Sequence, residues 1–382
     1  MKILHLMLAC FYIDHYSYQE NYLPKHHKQQ GHDVEIVASL FTFDENGKGK
    51  WLPKADKYIN EYGIPVTRLA FADRPGAVKL RYYKGLQQEL DRVKPELIFI
   101  HGVQFCDIGI VARYCKAHPE VQVFADNHSD FSNSATNWVS KHILHRIIWR
   151  SCAQKIQPYT TKFYGVLPAR VDFLIRQYGL PKEKVELLVM GADDDLVEQA
   201  SKPEVRESVR AKYGISDGDF VVMTGGKIDA FKTQTLLLME AVAKIQDPAV
   251  KLVVFGSVTP ELKDRVTALA DGEKVSFIGW IPSKDSYELF AAADLVVFPG
   301  RHSVFWEQVA AQGLPMVVKH WAGTTHVDMG GNVRFLYEDS AQLIRSVIED
   351  IRRPEHYSEM KAAAVNAADN FLYSKIADRS IR

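Results

Sequence analysis

"FVVMTGGKIDAFKTQTLLLMEAV", residues 220–242, reads as a strand, a turn and a helix in immediate succession. The opening run is short, apolar and valine-rich, as expected of a strand buried in a parallel sheet. Gly225 and Gly226 follow it directly. A glycine pair lets the backbone turn tightly and approach a ligand closely. Lys227 comes next, and Lys232 stands five residues on, beside the start of the helix. Two ammonium groups and a helix N-terminus converge there, an arrangement suited to a phosphate. The stretch is neither a Walker motif nor GxGxxG, and two solvated lysines beside a turn would show the same spacing.

The same strand-then-helix unit recurs on both sides. Before it, the strand candidates are 3–8, 34–39, 96–101, 121–126, 155–159 and 185–190, with helical spacing at Gln19–Gln30, Lys79–Val93, Gly109–His118 and Trp138–Arg150. From 220–225 onward the series restarts, with strands at 251–256, 275–279, 295–300 and 316–320. Two successive series predict two doubly wound Rossmann-like domains facing a central cleft. The junction falls at 191–203, an acidic stretch without strand pattern. This gives an N-terminal domain at 1–195, a second at 196–355, and a C-terminal helix, 356–382, packing back on the first. In open parallel sheets ligands bind beyond the carboxyl ends of the strands, so site residues should follow strands.

Bulk properties narrow the function. The chain has 382 residues, enough for two domains, with 47% hydrophobic and 25% charged residues. Lysine plus arginine and aspartate plus glutamate balance at 47 each, so there is no electrostatic footprint for nucleic acid. The cysteines Cys10, Cys106, Cys115 and Cys152 form no CxxC pair and no zinc-spaced cluster, which reads as thiols buried in a reducing compartment. The start, MKILHLMLAC, reads as a first buried strand rather than a signal segment. No run approaches the ~20 apolar residues of a membrane span. These points together predict a cytoplasmic protein.

A second stretch, 293–318, "ADLVVFPGRHSVFWEQVAAQGLPMVV", repeats the logic. A strand ends at Pro299-Gly300, and Arg301-His302-Ser303 opens a helix with Ser303 as a reasonable N-cap. Glu307 lies about one turn inside, where a carboxylate can accept the two hydroxyls of a ribose or merely complement the helix dipole. The second half of the chain resembles the donor-binding half of family 4 glycosyltransferases, which have the GT-B fold. "GGKIDAFK" is similar to that family's first glycine and cation segment. "KLVVFGS" matches the next strand and its glycine turn. "VSFIGWIP", with Gly279, Trp280 and Ile281, matches the strand end that meets the nucleotide base. "ELFAAADLVVFP" and "WEQVAAQGLPMVV" match the elements around the second glutamate of E-x7-E, here Glu307. The first half is similar more loosely, with His128 at the position of the family's cleft histidine. Pro299 stands where the first glutamate would be, so that role is not carried over.

The resemblance implies a retaining, metal-independent transfer from a nucleotide-diphosphate sugar, with UDP- or GDP-sugars leading, to a glycan or lipid-linked hydroxyl acceptor in surface polysaccharide or glycolipid assembly. No separate cofactor is implied. Lys227, Lys232 and His128 take the catalytic roles. Gly225, Gly226, Gly279, Trp280, Ile281, Arg301, His302, Ser303 and Glu307 bind the donor. Asp193-Asp194-Asp195 imitates a D-x-D metal motif, but its place at the domain junction favours a capping and turn role. The basic amphipathic stretch 137–155 suits contact with the anionic inner face of a membrane, or a core helix with a solvated face. The alternatives are a non-catalytic binding subunit and a sugar-nucleotide epimerase.

Overall fold

A computed structural model describes residues 1–44 and 48–382. Contacts divide the chain into two compact units, one of Met1–Val189 with Ile376–Arg382, the other of Met190–Lys375.

The strands of the first unit are β1 (Lys2–Met7), β2 (Asp33–Ala38), β3 (Phe41–Phe43), β4 (Gly49–Trp51), β5 (Asp56–Ile59), β6 (Pro65–Arg68), β7 (Leu97–His101), β8 (Gln122–Asn127), β9 (Lys162–Gly165) and β10 (Val185–Leu187). Eight form one sheet in the order β10-β9-β8-β7-β1-β2-β6-β5, and β3 pairs with β4 as a hairpin. All pairs in the large sheet are parallel except β5 with β6. Side chains alternate between its faces. Leu4, Leu6, Ile98, Ile100, Val123 and Ala125 share one face and its hydrophobic core. His5, Phe99, His101, Phe124 and Asp126 therefore occupy the other, with His101 and Asp126 in register.

The second unit contains β11 (Phe220–Gly225), β12 (Val250–Phe255), β13 (Val275–Phe277), β14 (Leu295–Phe298), β15 (Met316–Lys319) and β16 (Val333–Leu336). Their order is β13-β12-β11-β14-β15-β16, all parallel. This is the doubly wound order, and it reverses direction between β11 and β14. The quoted stretch and the 293–318 stretch thus follow the two strands that flank the switch point. The first unit has the same kind of reversal between β1 and β7.

Three sequence expectations need correction. Residues 155–159 are not a strand. The helix Arg150–Ile156 runs through them into a 3₁₀ turn at Gln157–Tyr159. Cys152, Ala153 and Ile156 are buried at helical spacing, so Ile156 belongs to a helix face, and the strand is β9 instead. The single helix expected at Lys79–Val93 is broken into Ala77–Leu80 and Leu86–Val93, with Arg81 at φ 57° and Gly85 at φ 82° between them. Ser303 does not flank the helix that contains Glu307. That helix is Phe305–Ala311 with Val304 before it, and the Ser303 hydroxyl accepts only a long 3.4 Å bond from the Phe305 amide. Elsewhere, Asp193 caps the helix Asp194–Ala200 by accepting from the Asp195 amide at 3.1 Å.

Candidate functional site

The turn after β11 is shaped by close backbone approach. A Cβ on Gly225 would lie 2.1 Å from the Phe255 ring, and one on Gly256 would lie 1.9 Å from the Gly226 carbonyl oxygen. Gly226 and Gly256 both have positive φ, 125° and 130°. The Gly226 amide donates to the Phe255 carbonyl at 3.1 Å, and the Ile228 amide to the Ser257 carbonyl at 2.8 Å. Two glycine turns therefore cross with nothing between them, which only residues lacking Cβ allow.

This crossing positions the two lysines. Asp229 organises the loop, accepting from the Phe231 amide at 2.9 Å through its side chain and from the Lys232 amide at 2.9 Å through its carbonyl. Lys232 is half-buried, with its ammonium about a contact distance, 4.0 Å, from where a Gly226 Cβ would be. Burial pushes its pKa down, and the Asp229 charge only partly offsets this. Lys227 is exposed, with its ammonium 3.7 Å from the Asp229 carboxylate. Gly300, after β14, packs against Lys232, since a Cβ there would lie 3.8 Å from that residue's Cα. One cavity collects Gly225, Gly226, Lys227, Lys232, Gly300, Arg301 and Ser303, together with Thr224, Thr235 and the Phe255 ring. The Arg301 guanidinium sits 5.1 Å above the centre of the Phe231 ring, which holds it at the rim. Three cations thus surround a cavity at a switch point, beside the start of the helix Gln234–Ala243. Such a site can hold two adjacent phosphates and stabilise charge that develops on them.

Glu307 and His302 are not part of this cavity's lining. Glu307 is fully buried, and its Oε1 accepts from His302 Nε2 at 2.9 Å and from His326 Nε2 at 2.7 Å. Burial pushes the carboxyl up, but the two imidazoles more than offset this and hold it well below the usual carboxylate range. Its Oε2 has no partner. That oxygen is buried and Glu307 is outside the cavity's lining, so it is an unmet hydrogen-bond demand beside the site rather than an open ligand position. The three ligand atoms lie within 4.8 Å of one another, close enough to hold a metal ion. However, Nδ1 of His326 is buried without a partner. A metal-bound histidine normally donates that proton to a neighbour, so the contacts read as hydrogen bonds to one oxygen. His326 has no signal in the sequence, where it is a lone histidine in a loop.

Gly279, Trp280 and Ile281 do not line the cavity. The Gly279 carbonyl accepts from the Gly256 amide at 2.8 Å, which braces the crossing, and Trp280 is 71% exposed. His128, in the first unit, follows β8 and is half-buried. Its Nε2 lies 3.5 Å from Asp126 Oδ2 and 4.0 Å from Glu20 Oε1. Burial lowers its pKa, but Asp126 and then Glu20 outweigh burial and raise it.

Residues 218–352 match the family model described as "Glycosyl transferases group 1". A D-inositol 3-phosphate glycosyltransferase of Catenulispora acidiphila is 29% identical over 228 residues, 54% of this chain and 53% of that protein, so the chain spans about half the length of this relative. A solved glycosyltransferase from Rickettsia africae superposes with a TM-score of 0.69 at 14% identity, over 99% of this chain and 96% of that one. Anabaena Alr3699/HepE, solved in complex with UDP-glucose, does so with a TM-score of 0.63 at 18% identity, over 100% of this chain and 98% of that one. Residues 218–352 therefore form a glycosyltransferase group 1 domain, within a chain that has the GT-B fold.

Proposed function

We propose that the protein transfers a sugar from a nucleoside-diphosphate sugar to a hydroxyl acceptor. The observation that carries this reading is the convergence of Lys227, Lys232 and Arg301 on one cavity beside a helix N-terminus. The chemical difficulty in such a transfer is departure of the diphosphate, which accumulates negative charge. Fixed cations in a half-buried site stabilise that charge without reorganising. Lys232 is the principal group, because its partial burial removes competing solvent. Lys227 and Arg301 reinforce it from the rim. The similarity to family 4 glycosyltransferases gives Glu307 the ribose hydroxyls, a role that requires its buried Oε2 to become accessible when the donor binds. Transfer proceeds with retention and without a metal ion, as the similarity to family 4 glycosyltransferases suggests. His128 serves the acceptor side, and UDP is the leading nucleotide, in line with the Anabaena structure's ligand.

The acceptor is lipid-linked or otherwise presented at an anionic membrane. Supporting this, Trp138, Val139, Ile143 and Ile147 are exposed at 68%, 52%, 40% and 62%, interleaved with exposed Lys141, Arg146 and Arg150. An apolar and cationic stripe of this kind suits the headgroup boundary of a bilayer. No helix of the described residues is long and apolar enough to cross a membrane.

The test is donor turnover, by transfer or hydrolysis, with UDP- and GDP-sugars. Lys232→Ala is expected to lower kcat/KM by on the order of 10²–10³ with the fold intact. Nucleotide binding without turnover across a broad acceptor panel would favour a binding subunit, a reading that Pro299 in place of a carboxylate also invites.

A further inference from the structure

The cysteines are not all buried thiols. Cys115 and Cys152 are buried as expected, but Cys10 and Cys106 are half-buried. Cys106 follows β7 and stands two residues before the helix Ile108–Ala117. Its amide donates to the Leu80 carbonyl at 3.0 Å, which fixes the backbone there. The residue lines a cavity of about 500 Å³, whose wall also carries Arg113, Lys116 and Lys155. Cys152 lies on the helix Arg150–Ile156, which packs against Ile108–Ala117. Lys155 is three residues further along that helix, so it and Cys152 share a face. Cys152 belongs to the hydrophobic core of the first unit, and Cys106 packs against that core. The two thiols are direct neighbours.

Their surroundings make the two thiols unequal. The Cys152 thiol, then the Tyr82 hydroxyl and the Lys155 ammonium, favour the thiolate of Cys106 and outweigh its burial, so that its pKa falls to about 6. Asp107 opposes them, with its carboxylate accepting from the Tyr83 amide at 2.6 Å. Cys152 is pushed the other way, by its bond to the Cys106 sulfur and by burial. Cys106 is therefore the sulfur that is both ionised and reachable from the cavity, and Cys152 is a protonated thiol held behind it. A thiolate with cationic neighbours and a way in from solvent is the reactive kind of cysteine.

We infer that Cys106 and Cys152 form a redox pair, in which a hydroperoxide oxidises Cys106 and Cys152 then closes a disulfide with it. In the first step the Cys106 thiolate attacks a peroxide oxygen and the O–O bond breaks. The sulfur becomes a sulfenic acid, oxidised by two electrons, and the peroxide is reduced. Its second oxygen leaves as hydroxide or alkoxide and takes a proton from water. Arg113, Lys116 and Lys155 offset the negative charge that leaves. In the second step the Cys152 sulfur attacks the sulfenic sulfur and the S–O bond breaks. The hydroxyl departs with the Cys152 proton as water. The new bond ties the loop after β7 to the helix Arg150–Ile156. That loop also contains Gln104, whose amide donates to Asn127 Oδ1 and to the Tyr178 hydroxyl, each at 3.0 Å, close in sequence to His128. Any effect on sugar transfer rests on the proposed function, but the disulfide does not.

The test treats the reduced full chain, in its folded state, with hydrogen peroxide at about pH 7, then maps its cysteines by mass spectrometry after acid quenching and alkylation. The expected product is a Cys106–Cys152 disulfide that dithiothreitol reverses, with Cys10 and Cys115 recovered as free thiols. In Cys152→Ser, oxidation should stop at Cys106 as a sulfenic acid that dimedone captures. Cys106→Ser should form no intramolecular disulfide. In the reduced protein, alkylation of Cys106 by iodoacetamide should titrate near pH 6, against about 8.5 for an ordinary thiol. Conversion of Cys106 to a sulfinic acid without a disulfide, a bond between other cysteines, or no reaction at all would overturn the proposal, as would an alkylation midpoint at or above about 8.5. Should Cys152→Ser fail to fold, the wild-type map and Cys106→Ser, at a half-buried position, decide alone. None of these readouts involves a donor sugar, so loss of the transferase reading would leave them untouched.

Discussion

Lys232 takes its position from one set of neighbours and its charge from another. The crossing of the Gly225–Gly226 and Gly256 turns fixes where the ammonium sits, and burial lowers its pKa. A lysine with a lowered pKa loses its proton at a lower pH than an exposed one, whose value is near 10.4. Donor affinity should therefore decline on the alkaline side earlier than an exposed lysine would allow, and the pH profile of Lys232→Ala should be flat there. The crossing can be probed separately. Gly256→Ala would place a methyl against the Gly226 carbonyl at positive φ, where neither partner can give way. Chemical unfolding should show a loss exceeding about 1 kcal/mol. The glycines of this crossing were legible in the sequence as turns after strands, whereas the spacing of the two lysines alone fitted a pair of solvated side chains equally well. His326 was not, since a buried histidine and a solvated one look alike in one dimension. His5 and His101 stand in apolar strand runs and His27 in the polar stretch 25–30, so nothing in one dimension joins them. Only the strand register shows that alternate positions of β1, β7 and β8 place polar groups on a shared face.

At the level of elements, the switch-point strands were the easiest to place and the irregular helices the hardest. β11, β12, β14 and β15 are short apolar runs closed by glycine, proline or lysine, a pattern with one reading. The segment after β8 was harder, because Ser140–Trp149 adopts π-helical hydrogen bonding before the α-helical turns that follow. An apolar stripe expected to divide cleanly from a basic one is instead mixed. His145 and Trp149 face the core, where His145 bonds Tyr178 and Ser134, and Trp138 and Ile147 face outward. If this stripe docks on membranes, Trp138→Ala with Ile147→Ala should release the protein from vesicles containing anionic lipid. Neutralising Lys141, Arg146 and Arg150 should cost about 1 kcal/mol of membrane affinity per charge and remove the salt dependence. Both sets of positions are exposed, so thermal stability should hold within a degree or two. Co-sedimentation with phosphatidylserine vesicles measures the first effect, and a melting curve checks the second.

Across the whole molecule, the two units share one winding scheme but have different dependencies on the end of the chain. Ile376–Arg382 belongs with the first unit, where Ile376 and Ala377 are fully buried and Ala377 and Ser380 meet His27. Deleting these residues should destabilise the first unit by at least the 2–5 kcal/mol typical of removing one buried isoleucine side chain, and leave the second unit's transition in place. Denaturant unfolding followed by tryptophans on each side, Trp149 in the first unit and Trp306 in the second, would resolve the two transitions. The two-domain GT-B organisation was readable because the strand-helix series visibly restarts. The extra strands β3, β4, β5, β6, β9 and β16 escaped notice because three or four residues carry too little periodicity. In the proposed function a lysine pair and an arginine hold the diphosphate of the donor. Calorimetric titration of UDP and GDP into wild type and Lys227→Ala/Lys232→Ala tests it most directly. We predict at least about a hundredfold weaker binding in the double variant, as expected for two lost bonds between charged groups. Equal affinity in a folded double variant would contradict it.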